Sequence, residues 1–201
     1  MKKQLNSHRL PILFSLVLMV VFLSACGDDY QPKPRAYFRI TIPEKDYALS
    51  QTEQLPYAFN LPAYAKIKLV KQQSEKYWIN IQYPIFDAQL HLSYKAIHHN
   101  LDTLLNDMHK MMSKHIPKAN AINEQMYLND NRKVYGMTYD IKGSEAASPF
   151  QFYLTDSTHH FVRGALYFNF SPNNDSLRPI IKRLEEDIQE MIETFRWQTA
   201  Q

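Results

Sequence analysis

Asp156-Ser157-Thr158-His159-His160 brings a carboxylate, a hydroxyl and two imidazoles together, which are the ingredients of a nucleophilic triad. Triads are assembled in space from distant segments, however, and near neighbours in sequence rarely point at one another. No serine stands in a glycine-flanked elbow. Read as structure, Leu154–Thr158 is a hairpin turn in which Asp156 and Ser157 bond their own backbone. The histidine pairs His98-His99 and His159-His160, with His109 and His115, raise the question of a metal. A helical zinc site places two histidines four apart, whereas His109 and His115 are six apart, and adjacent histidines on a strand face opposite ways. We expect surface or edge histidines, no metal and no cofactor.

The single cysteine, Cys26, excludes a disulfide framework and any multi-cysteine metal site. Its context assigns it another chemistry. Lys2, Lys3 and Arg9 form a basic start, and Ile12 to Leu23 is apolar except for Ser15. That run is too short to span a bilayer, which takes about 20 residues, and fits the apolar region of a signal peptide. It closes on Leu23-Ser24-Ala25-Cys26, a bacterial lipobox in which the thiol of Cys26 takes a diacylglyceryl group and becomes the new N-terminus. Residues 1–25 are then a lipoprotein signal peptide. With two or three acyl chains at about 0.8 kcal/mol per buried methylene, anchoring is effectively permanent. Cleavage removes three basic and no acidic residues, leaving 20 of the 23 Lys and Arg against 20 Asp and Glu. A chain without basic excess is not built for nucleic acid.

Residues 26–35 are the lipidated cysteine and an extended, polar, proline-bearing tether. Close behind the anchor, Lys33, Arg35 and Arg39 interleave with Tyr37 and Phe38, flanked by Pro32, Pro34 and Pro43. Aromatics and arginine are enriched at interfaces, and flanking prolines hold a segment extended for strand addition. Alternation puts Arg35, Tyr37 and Arg39 on one face and Phe38 with Ile40 on the other. Two readings stay open: Arg35, Tyr37, Phe38 and Arg39 as a partner-binding surface, or as an edge strand of the domain's own sheet.

The remaining chain, 36–201, must position these groups. Thirteen tyrosines and eleven phenylalanines supply enough core-forming side chains to exclude wholesale disorder. Residues 44–63 read as irregular. Ile67 and Leu69, then Tyr77, Ile79, Ile81 and Tyr83, then Leu90, Leu92 and Tyr94, alternate with polar residues as half-buried strands do, with a turn at Gln72–Glu75. Leu101, Leu104, Leu105, Met108, Met111 and Met112 make a helical stripe, with Asn100 as cap and Pro117 as stop. Strands follow over 132–141, 150–154 and 161–170. The last is apolar on both faces with Gly164 at its middle, which predicts a central strand closely approached by something bulky. Ser176 caps a final helix through Leu177, Ile181, Leu184, Ile188, Met191 and Phe195, whose acids Glu185, Glu186, Asp187, Glu190 and Glu193 form a solvated side. The fold class is α+β: an antiparallel sheet of about six strands with two helices on one face, in a single domain.

Tyr30-Gln31-Pro32-Lys33-Pro34-Arg35-Ala36-Tyr37-Phe38-Arg39-Ile40, then Pro43-Glu44-Lys45 and Tyr47, resemble the opening of the gliding motility lipoprotein GldD family. Phe150 to Ser157, Phe161 with Arg163 to Phe168, and Asn174 through Trp197 are similar to it too. The resemblance implies an envelope lipoprotein needed for gliding motility and linked to type IX secretion, with no catalytic residues to carry over. We therefore expect a membrane-anchored, non-enzymatic protein, facing the periplasm and binding other gliding or secretion components. The alternative is a small envelope hydrolase or ligand-binding lipoprotein using Asp156, Ser157 and His159 or His160, which requires those side chains to converge in a cleft.

Overall fold

A computed structural model describes residues 41–50, 54–70, 76–170 and 173–199. Three short strands, β1 (Tyr47–Leu49), β2 (Tyr57–Ala58) and β3 (Asn60–Pro62), occupy the stretch expected to be irregular. They are followed by β4 (Lys66–Leu69), β5 (Ile79–Tyr83) and β6 (Ala88–Ala96), then helix α1 (Leu101–Ser113). Next come β7 (Ala121–Asn129), β8 (Val134–Lys142), β9 (Phe150–Thr155) and β10 (His160–Phe168), helix α2 (Asn174–Thr194) and β11 (Arg196–Trp197). Seven strands form one antiparallel sheet in the order β4-β5-β6-β10-β9-β8-β7, while β1 pairs with β3 and β11 with β2.

The class is α+β, as the alternating strands and two amphipathic helices imply. The central strand is β10, held between β6 and β9. Gly164 sits opposite Phe152, and a Cβ there would lie 2.1 Å from the Phe152 ring. The bulky neighbour that the glycine makes room for is thus an aromatic of the next strand.

The helices differ from expectation: they cover opposite faces. Val162 and Leu166 of β10 join Phe152, Leu90, Leu92, Ile79 and Ile81 in a core closed by Leu184, Ile188, Met191 and Ile192 of α2. Phe161, one residue out of phase with Val162, joins Tyr139 and Ile141 of β8 under Met108 and Met112 of α1. Topology gives the reason. The chain must travel from β6 to the far edge β7, and α1 carries it across the face of the strands between. Caps also shift: Asn173, not Ser176, starts α2, its side chain accepting from the Ser176 N–H at 3.4 Å. Asn100 does precede α1, but its Oδ1 accepts from His98 N at 2.8 Å, outside the helix. The helix ends at Ser113, a turn before Pro117. The expected turn at 72–75 and the expected strand start at 36–40 lie outside the described residues.

Candidate interaction site

Cys26, Arg35, Tyr37, Phe38 and Arg39 lie outside the described residues, so the structure places none of them. What it does place is the segment that follows, and that segment is strapped to α2. Asp187, fully buried, accepts from Tyr47 Oη at 2.7 Å, from Tyr64 Oη, and from Arg183 Nε at 3.1 Å. Arg183 also donates to the Glu44 carbonyl at 3.2 Å, and Lys45 pairs with Glu186 at 3.1 Å. Burial, followed by the hydrogen bond to Asp187, pushes both tyrosine hydroxyls well above their usual range, so they remain donors. This corrects the reading of Asp187 as part of a solvated acidic side. It lies three residues after Leu184 and four before Met191, on the core stripe, with Arg183 at i−4 as its counter-charge. Next to this clamp, Glu185 faces Asp140, and burial followed by that second carboxylate pushes its carboxyl up to about 7.

The five residues with triad ingredients form the β9–β10 turn. Asp156 Oδ1 accepts from the backbone N–H of Thr158, His159 and His160 at 3.0, 2.8 and 2.8 Å, and its Oδ2 from Thr158 Oγ1 at 3.1 Å. Against its partial burial, these donors hold the carboxyl down at about 2. Ser157 occupies the left-handed region at φ 68°, its N–H bound to Thr155 Oγ1. His160 is drawn away, its Nδ1 2.7 Å from Tyr94 Oη and its ring stacked on Trp197. His159 stays beside Asp156 Oδ2 at 3.6 Å, largely exposed. The carboxylate is committed to the backbone and the two imidazoles diverge, so this is a turn and not an assembled triad. His115, six residues from His109, meets Gln151 at 2.7 Å across the α1 face of the sheet. No three His, Cys, Asp or Glu side chains converge on a metal-sized site among the described residues.

The surface that sequence reasoning missed is an edge. β7 runs nine residues, carries one charge, Glu124, and among the described residues pairs with β8 alone. Met126 and Leu128 stand 63% and 65% exposed on the same side as Glu124, whereas Tyr127 turns toward the core. The opposite edge, β4, is protected as sheet edges usually are: four residues long, with exposed Lys66 and Lys68. The alternation Ile122-Glu124-Met126-Leu128 before an Asn-Asp-Asn turn was the signal available, and polar residues on both sides of the strand obscured it.

No curated protein matches the chain. Among solved structures, the solution structure of cyanobacterial PsbP (CyanoP) from Synechocystis sp. PCC 6803 is similar at 12% identity and a TM-score of 0.46, covering 83% of this chain and 99% of that one. The family model described as gliding motility lipoprotein GldD matches residues 27–197, from the residue after Cys26 through β11. The opening segment, the strapped and aromatic core strands and the terminal helix all fall within that match, and the chain belongs to the gliding motility lipoprotein GldD family.

Proposed function

We propose that this lipoprotein is a non-catalytic subunit of the gliding and type IX secretion apparatus, held at the membrane by lipid on Cys26 and acting by binding other envelope proteins. The observation that carries this reading is the β7 edge: nine residues that no second strand pairs among the described residues, with exposed Met126 and Leu128, suited to accept an extended strand from a partner. Arg35, Tyr37, Phe38 and Arg39, close behind the anchor, form a second contact on the periplasmic side. The clamp at Asp187 fixes the segment after them to α2, so that a pull on the tether is delivered to the domain rather than to a slack chain. Met126→Lys with Leu128→Lys tests it in gliding cells. We expect a protein that folds and stays membrane-bound but no longer supports motility or co-purifies with envelope partners. Normal gliding by that double variant overturns the proposal.

A further inference from the structure

Beside α1 on its face of the sheet, over β5, β6 and β10, the described residues enclose a cleft of about 480 Å³, within the range of small-molecule sites. Arg163 forms part of its floor at the centre of the sheet, opposite Ser93 on β6 and Tyr153 on β9. Its guanidinium donates from one terminal nitrogen to Gln151 Oε1 at 2.9 Å, and its Nε is shielded from solvent with no hydrogen-bond partner. No carboxylate among the described residues pairs with it; Asp107, on the helix wall, reaches Lys110 at 3.8 Å instead. Arg163 is partly buried, and a guanidinium whose Nε is shut off from water is ordinarily paired. The imidazoles near it offer no compensation: burial, and then the charge of Arg163, lower the pKa of both His91 and His115, leaving them neutral at pH 7. The walls are apolar and adaptable. Tyr167 packs edge-on to His91 at 5.3 Å, Met108 and Met111 line the helix side, and Trp78 closes the end with the Lys95 ammonium 5.0 Å from its ring.

We propose that this cleft binds a small organic carboxylate with an apolar body, its carboxylate on the Arg163 guanidinium and its hydrocarbon against Trp78, Met108 and Met111. The planar fork of a guanidinium matches a carboxylate, and with the exposed Lys95 and Asp107 of the lining opposite in sign, the Arg163 charge is left to balance one negative charge. The cleft is separate from the β7 edge, and the inference stands independently of the partner reading.

The test is isothermal titration calorimetry on the full-length protein in lipid nanodiscs, with octanoate, octanol and octylammonium as probes and empty discs as the background. Octanoate should bind saturably, and octanol, octylammonium and the Arg163→Gln variant should each bring at least about a tenfold loss of affinity. Met111→Asp, at a position 42% exposed beside the mouth, should weaken octanoate without lowering the melting temperature. The proposal is overturned if octanoate shows no saturable binding above empty discs, or if octanol binds as well. Undiminished octanoate binding by folded Arg163→Gln also overturns it. If that variant does not fold, Met111→Asp decides, and unchanged affinity in it overturns the proposal.

Discussion

Asp187→Asn keeps the side-chain shape and removes the charge on which the clamp is built. In the wild type, Arg183 is 6% exposed and its carboxylate partner is fully buried, with Tyr47 and Tyr64 completing the carboxylate's shell. Leaving a buried charge uncompensated typically costs about 3–5 kcal/mol, most of it desolvation that the missing partner no longer offsets. A hydrogen bond to a charged group is worth about 1.5–3 kcal/mol, so Tyr47→Phe alone should cost toward the low end, Tyr47 being only partly buried. Urea unfolding followed by circular dichroism measures both. The double variant supplies the decisive number: if the Tyr47 hydroxyl acts through Asp187, Tyr47→Phe should cost almost nothing in the Asp187→Asn background. Hydrogen exchange adds a local readout, because Ala63 N donates to Asp46 O beside the clamp and should lose protection with the strap. The reasoning is refuted if Asp187→Asn lies within about 1 kcal/mol of wild type, or if the two substitutions add fully.

Gly164→Ala should destabilise by about 3 kcal/mol by driving a Cβ into the buried Phe152 ring, with partial recovery in Gly164→Ala/Phe152→Leu, both read by thermal melts. Glu185 has a folded pKa of about 7 against an ordinary 4.5, so the folded state holds its proton more tightly; the stability this gives is full below about pH 4.5 and lost as pH rises through 7. Glu185→Gln should therefore match wild type in acid and exceed it at pH 8 by about 1 kcal/mol after discounting for its partial exposure, as paired denaturation curves would reveal. Cys26→Ser should abolish incorporation of labelled palmitate and motility while the domain still folds; wild-type labelling contradicts the lipobox assignment. Alanine at both Arg35 and Arg39 should change stability by no more than about 0.5 kcal/mol yet impair gliding, a melt and a motility assay deciding together.

The strands with one apolar face were legible because period 2 survives wherever one side meets a core, as Ile79-Ile81-Tyr83 and Leu90-Leu92-Tyr94 do. Gly164 could be read because a glycine inside an apolar strand has few reasons to be there. The position of α1 was not legible: a Leu and Met stripe states that a helix packs, not on which face of the sheet. β1 to β3 were hidden because strands of two or three residues carry no period at all. Asp187 is masked by its acidic neighbours Glu185, Glu186, Glu190 and Glu193, although its spacing from Leu184 and Met191 puts it inside. The triad-like turn resolved in favour of local chemistry, since a carboxylate at a turn finds backbone N–H groups before it finds a distant serine.

Partner binding through the β7 edge is tested most directly by photo-crosslinking in gliding cells, with p-benzoylphenylalanine in place of Met126 and, as control, in place of Lys68 on the protected β4 edge. The account predicts an adduct joining this lipoprotein to a second envelope protein from position 126 and none from position 68. Gliding cells in which position 126 yields no adduct would contradict it.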